Sequence, residues 1–597
     1  MKKLSLAIVA ALLILSGCNK TESESENTEK LTPANGGKFY GGVFRLNESE
    51  YIKNLFPHSI IDVYSYRVAA QVYEGLFKFD QRDLSPIPCL VASYEKDPTN
   101  TIYTFKLKQN VYFHDDECFS GGKGRLMTAN DVKYCFTMLC TKSRTNQSFN
   151  LFDGILKGAN EYYEATSDGK KPSFEVSGIK VIDNYTIQME LVKPNSMFLY
   201  QLARPGAFIF PKEAYEKYGQ DMRVKCVGTG PYTLANVDED ISIILKKNAN
   251  YHGVDEVGNK LPFIDAISIR FLKDKKVELL EFRKGNLDMM YRLPTDYIIE
   301  ILSETTSNDD TGYGQYDLQR NAEMSTQILT FFNKGEVFDD VNVRKAFSYA
   351  IDREKILDYV LNGEGYMEGY HGITPPAFDY YDISKVKGYN FNPDSAKIYL
   401  KKAGFPDGKG FPKITLDLNT EGERYSNVAL EVQKQLKENL NIDIELQIYP
   451  IAQITEKATS GDFNLLRLAW VADYPSPENY LWAFYSKNVP QSMSEKSYPN
   501  MARYTNPKFD ELYEKALAAG TQEEAMNYFL QAEQLLMRDA PILILWYDEG
   551  YRLMQSYVKN FPNNAMQYRD FSSVYMIEKA DSLKMTGGGG GEGTSNK

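Results

Sequence analysis

The stretch from Ile414 to Ile448 constrains the fold more than any other part of the chain. Ile414, Leu416 and Leu418 alternate with polar neighbours, the period-two signature of a half-buried strand. Val428, Val432 and Leu436 then recur every fourth residue, as one face of a helix does. Ile442, Ile444, Leu446 and Ile448 alternate again. Strand, helix and strand in that order form the building block of a helix-covered parallel sheet. Earlier segments are richer in strand. Tyr103, Phe105 and Leu107 share one face, and Tyr185, Ile187, Met189 and Leu191 follow an Asp183-Asn184 turn. Thr128 with Asp131 forms a capping-box pattern ahead of Val132, Cys135, Phe136 and Leu139, and Asn392-Pro393 opens a helix that Gly404 ends. No helical-repeat period is present. With 597 residues, the chain reads as a multi-domain α/β protein.

Charge and composition exclude several function classes. The chain carries 68 basic and 80 acidic side chains, a formal net charge of −12, which opposes a nucleic-acid partner. Four histidines make imidazole catalysis or a His-rich metal site a poor starting point. His114-Asp115-Asp116-Glu117 is expected to be a solvated turn and not a metal cluster. Gly121-Gly122-Lys123-Gly124 lacks the spacing of a phosphate loop, and Asp238-Glu239-Asp240 lacks the glycine of a calcium loop. Neither a Gly-x-Ser-x-Gly elbow nor a His-Glu zinc helix occurs. The expectation is a protein that is not an enzyme and holds no metal or cofactor.

The N-terminus carries an address. Lys2 and Lys3 precede an apolar run from Leu4 to Leu15 that is too short to span a bilayer. The following Leu15-Ser16-Gly17-Cys18 resembles the bacterial lipobox. That resemblance implies a signal peptide over 1–17, a lipid on Cys18 and an exported lipoprotein at the periplasmic face of the envelope membrane. Residues 18–38 are polar and read as a flexible tether, and 584–597 as a disordered tail. Five further cysteines, Cys89, Cys118, Cys135, Cys140 and Cys226, leave at least one unpaired; they read as structural thiols or one disulfide.

An ordered series of phrases then runs through the chain. They are Val72-Tyr73-Glu74-Gly75-Leu76, Tyr103 to Leu107 with Val111 to His114, Thr128 to Val132, and Gly228-Thr229-Gly230-Pro231-Tyr232. Next come Lys284 to Asp288, Val343 to Ala346 with Ala350 to Arg353, Asp394 to Gly404, Ala472-Asp473-Tyr474-Pro475, and Asp539-Ala540-Pro541. Together they resemble the bacterial extracellular solute-binding proteins of family 5, the oligopeptide- and dipeptide-binding receptors of ABC importers. The loop from Asp115 to Arg125 is longer than that pattern expects.

The resemblance implies a two-lobe fold of the type II periplasmic-binding-protein kind, with ligand held in the cleft between the lobes. Lobe 1 is expected over 39–325, with an extra subdomain at about 60–190, and lobe 2 over 326–540. A return to lobe 1 is expected over 541–583. It also implies that Ala469, Trp470 and Val471 offer a strand to the backbone of a short peptide, opposed by Asp62-Val63, and that Asp473 pairs with the peptide's ammonium group. The implied partners are a short peptide and the permease subunits, with the receptor a monomer. The same scaffold holding a nickel chelate, haem or an oligosaccharide is the alternative within the class. A secreted hydrolase with dispersed carboxylates is the alternative outside it.

Overall fold

The computed structural model describes residues 31–578 apart from 295–296, 299, 302–315 and 420–421. The signal peptide, Cys18, most of the tether and the C-terminal tail lie outside the described residues.

Lobe 1 begins with β1 (Val43–Asn47) and α1 (Val63–Val72). A subdomain follows, in which β2 (Val91–Lys96), β3 (Ile102–Leu107), β4 (Ile179–Asp183) and β5 (Thr186–Glu190) pair antiparallel in the order β2-β3-β5-β4. Tyr103, Phe105 and Leu107 all face inward, as their alternation requires. On this sheet packs α2 (Ala129–Leu139), opened by the Thr128–Asp131 capping box, with Val132, Cys135, Phe136 and Leu139 fully buried.

The remaining strands of lobe 1 are β6 (Tyr232–Asp238), β7 (Ser242–Lys247), β8 (Ala266–Arg270) and β9 (Met289–Tyr291). The chain then enters β10 (Tyr316–Phe331), sixteen residues long. Lobe 2 contains β11 (Ile414–Asn419), α3 (Gly422–Leu440), β12 (Ile444–Tyr449), α4 (Ile451–Ser460), β13 (Leu465–Val471), α5 (Pro477–Trp482) and α6 (Gln522–Asp539). Strand β14 (Ile542–Gln555) leads back. The strand–helix–strand unit expected from the sequence is β11-α3-β12, with Ile414 opposite Ile444 in a parallel pair.

One sheet runs through both lobes in the order β6-β7-β8-β1-β9-β14-β10-β13-β11-β12. Its middle pair, β10 and β14, belongs to both. Ala322 pairs with Glu549 on the lobe 1 side, and the next pair is Thr326 with Tyr547 on the lobe 2 side. Glu323, Met324 and Ser325 thus bulge out of the ladder opposite Asp548, and there the sheet passes from one lobe to the other. The lobes also touch away from the sheet. Ser196 of lobe 1 donates its N–H to the Leu517 carbonyl (2.7 Å), and Arg204 lies 5.0 Å from the Tyr474 ring.

One polar reading of the sequence needs revision. His114 is not in a solvated turn: it is buried, and its Nε2 is 2.9 Å from the Gly230 carbonyl oxygen. That contact ties the loop to Gly228 and Gly230, where a Cβ atom would fall 2.1 and 2.7 Å from backbone atoms of Val72 and Gln71. The close approach explains both glycines. Arg344 is likewise buried and donates to the carbonyls of Phe338, Asp339, Asp539 and Ala540. All five cysteines of the described residues are free thiols.

A buried carboxyl on α6 gives stability a pH dependence. Glu533 is fully buried and accepts from Thr374 N–H (2.7 Å), Thr374 Oγ1 (3.0 Å) and Tyr381 Oη (2.5 Å). Burial pushes its carboxyl from 4.5 up to about 7, against the pull of those hydrogen bonds. Between these values the folded protein holds a proton that the unfolded chain has lost, so stability falls as pH rises through the window. Above it the full penalty applies, about 3 kcal/mol. Urea unfolding from pH 4.5 to 8 should show this decline, and Glu533→Gln should flatten it relative to wild type.

Candidate ligand-binding cleft

The edge of β13 shapes the cleft. Ala472 donates its N–H to the Met324 carbonyl of β10 (3.0 Å), which fixes the side of the strand that faces β10. By alternation, Trp470 and Leu468 turn their backbone groups the same way, while Arg467, Ala469 and Val471 turn theirs to the other edge. Strand β11 covers that edge only at Leu465 and Leu466. From Arg467 to Val471 it is open among the described residues.

Two chambers of about 470 Å³ each adjoin this edge. The first is lined by Val471, Ala472 and Asp473 from lobe 2, and by Glu48, Asp62, Val63, Arg67, Arg204 and Lys275 from lobe 1. The second is lined by Arg467, Ala469, Arg424 and Tyr425 from lobe 2, and by Asp548, Glu549 and Tyr551 from β14. Arg292, Glu323, Ser325 and Val471 border both.

The chambers differ in what they leave unpaired. In the first, the Asp473 carboxylate is exposed and has no donor among the described residues; only its backbone N–H is held, by Asn479 Oδ1 (3.3 Å). It does not cap the turn before Pro475, which is the ordinary structural task of an aspartate there. In the second, Arg467 is 8% exposed and no carboxylate pairs with it among the described residues. Its guanidinium donates to Asn419 Oδ1 (3.0 Å) and to Gln327, and lies 3.3 Å from the Tyr425 ring centroid, while Nε has no partner. Burial lowers its pKa, the direction expected of a cation short of counter-charge. Arg424 reaches Asp548 and Glu364 only at 3.6 and 3.8 Å. An open carboxylate, Asp473, therefore stands at one end of the strand edge, and a buried guanidinium with no carboxylate within ion-pair distance among the described residues, Arg467, stands at the other.

A family model of bacterial extracellular solute-binding proteins, family 5 (middle), matches residues 85–492. The chain belongs to this family. The periplasmic oligopeptide-binding protein OppA of Salmonella typhimurium is 25% identical over 524 residues, covering 86% of this chain and 89% of that protein. Heme-binding protein A of Haemophilus influenzae is 24% identical over 591 residues, covering 96% and 98%. Among solved structures, the unliganded open form of the murein tripeptide-binding protein MppA aligns with a TM-score of 0.72 at 21% identity. It covers 90% of this chain and 98% of that one. HbpA2 from Haemophilus parasuis gives 0.73 at 20%, covering 90% and 100%. These likenesses bear out the two-lobe fold.

The residues singled out from the sequence of this family 5 protein fall in different places. Val471 and Asp473 line the first chamber, and Ala469 and Val471 the second. Trp470 lines neither: its side chain takes the opposite face, where Nε1 donates to Asn479 Oδ1 (3.2 Å). Asp62 and Val63 line the first chamber, but as the cap and first residue of α1 and not as an extended strand. The Asp62 carboxylate is engaged by Ser65 N–H (2.9 Å) and Ser65 Oγ (2.8 Å). Sequence reasoning missed Arg467, although two steps back along the alternation of Ala469 and Val471 reach it. It also missed Arg292, Glu323, Arg424 and Asp548, which no local pattern marks.

Asn479 bonds both Trp470 and the Asp473 N–H, so it sets the position of the open carboxylate. Asn479→Ala should weaken any ligand that engages Asp473 by roughly fivefold, the effect of losing a typical hydrogen bond. Titration calorimetry against the Asp473→Asn background should show that the two losses do not add.

Proposed function

We propose that this protein captures short peptides in its cleft and delivers them to the permease of an ABC importer, held at the membrane by a lipid on Cys18. The observation that carries the peptide reading is the pairing of an open carboxylate, Asp473, with a buried and unpaired guanidinium, Arg467, at the two ends of one free strand edge. An extended peptide offers an ammonium, a carboxylate and a row of backbone groups between them, whatever its side chains. Strand addition to Ala469 and Val471 would use that row. Asp473 and Arg467 are six residues apart, about 20 Å of strand at roughly 3.3 Å per residue. Allowing for the reach of both side chains, peptides of about three to five residues fit the span.

Haem is named for one of the similar proteins and is the second reading. Against it stands the position of the four histidines: His58, His114, His252 and His371 line neither chamber. The cleft therefore does not offer the imidazole that haem iron and nickel commonly take. In both readings the protein binds without turnover.

Removing one partner of a buried charge pair typically loses about 2–5 kcal/mol. Asp473→Asn should thus weaken a free-amine peptide at least about thirtyfold, and N-acetylation should weaken wild-type binding similarly while adding little in the variant. Arg467→Met and C-terminal amidation should form the matching pair at the other end. Equal affinity for free and blocked peptides in wild type would overturn the assignment. The anchor has its own test: Cys18→Ala should release the protein from the membrane fraction or leave the signal uncleaved.

A further inference from the structure

The two chambers share a border, and its construction is unusual. Arg292 follows β9 with a backbone φ of 58°, in the left-handed region that a side chain-bearing residue seldom adopts. Its N–H donates to the Tyr551 carbonyl (2.8 Å), and its guanidinium donates to Glu323 Oε2 (2.9 Å). Glu323 lies in the bulge of β10, also receives the Tyr291 hydroxyl, and is only 5% exposed. Opposite it stands Gly550, where a Cβ atom would come within 3.1 Å of Glu323 Oε1. A strained backbone, a bulge and a glycine thus converge to place one ion pair at the passage between two cavities. Strain of this kind persists only where the surroundings enforce it, and it gathers at functional positions.

The Arg292 side chain is 64% exposed while its partner Glu323 is buried, so the guanidinium is the half of the pair that can turn out toward solvent. The rest of the passage is strand and bulge, formed by Val471 and Ser325. Of the four residues common to both chambers, Arg292 has the longest side chain and the exposed charged group, while Glu323 is buried.

We propose that the Arg292–Glu323 pair is a gate between the two chambers, which sets how readily a ligand anchored in the first extends into the second. This inference rests on the peptide reading of the cleft. A dipeptide with its ammonium on Asp473 stays in the first chamber and leaves the gate shut. A longer peptide must displace Arg292 from Glu323 to bring its carboxylate to Arg467, and part of its binding free energy is spent on doing so. The gate therefore selects for ligand length.

Calorimetric titration of dialanine and tetraalanine into the wild type, Arg292→Ala, Glu323→Gln and Arg292→Lys tests this. Arg292→Ala and Glu323→Gln should each raise the ratio of tetraalanine to dialanine affinity about fivefold, equivalent to about 1 kcal/mol. Arg292→Lys keeps the pair and should keep the wild-type ratio. If both peptides shift alike, or neither shifts, the gate is wrong. If dialanine weakens and tetraalanine does not change, Arg292 is instead a carboxylate partner for short ligands. If peptides bind the wild type but their ratio ignores both variants, the gate fails and the peptide reading stands; if neither peptide binds the wild type, both fail. Matching melting temperatures across the variants show that folding is not the cause.

Discussion

The cleft depends on the pairing of β10 with β14. These two strands hydrogen-bond to each other in both lobes, so the lobes share one sheet and cannot slide apart. A continuous ladder would also make them rigid. The interruption between Ala322 and Thr326 removes the ladder bonds over three residues of one strand, which concentrates bending there. The residues released from the ladder, Glu323 and Ser325, both line the chambers. The bulge and the candidate cleft therefore share one piece of backbone. A ligand that touches the bulge acts directly on the relation between the lobes.

Charges around the hinge are matched so that both strands stay in register. Asp548 accepts from Ser325 Oγ (2.5 Å), Gln327 Nε2 (2.7 Å) and the Trp546 indole (2.8 Å), which saturates it. Glu549 takes two bonds from Arg320, at 2.8 and 2.9 Å, and one from Tyr551. These carboxylates are already satisfied and have little left to offer a ligand. Asp473 and Arg467 are the exceptions, and the contrast separates groups that maintain the hinge from groups available for binding. A buried guanidinium without a carboxylate partner costs free energy, even where neutral acceptors take its hydrogen bonds. It persists here at the site where an incoming carboxylate would neutralise it.

How much was legible in the sequence follows from what kind of signal each feature leaves. The β11-α3-β12 unit was readable because local periodicity dictates it, and so was the capping of α2 by Thr128 and Asp131. Ala469, Val471 and Asp473 were reachable because a resemblance singled out the strand and the phrase after it. Asp62-Val63 was placed near the cleft, yet its local chemistry is that of a helix cap: an aspartate followed three residues on by the Ser65 amide it binds. Glu323 and Arg292 left no signal at all. A bulge inside a sixteen-residue strand arises from the mismatch between two long partners, one of which lies more than two hundred residues away. Likewise, the partners of His114 and Arg344 are backbone carbonyls supplied by distant segments, which side-chain patterns do not reveal.

The division of labour along β13 explains how one cleft can be both tolerant and selective. Backbone groups at Ala469 and Val471 meet any peptide equally, because every residue offers the same N–H and C=O. Selectivity must then come from features that side chains do not share, and a short peptide has two: its terminal charges and its length. In the proposed reading the charges meet Asp473, whose carboxylate has no donor among the described residues, and Arg467, which has neutral acceptors but no carboxylate within ion-pair distance among them. Length, on the proposed reading, is set by geometry, since Asp473 stands six residues beyond Arg467 in the chain and the Arg292–Glu323 pair lines both chambers. On the proposed reading, such a receptor would discriminate by the spacing of its fixed charges and not by the shape of side-chain pockets.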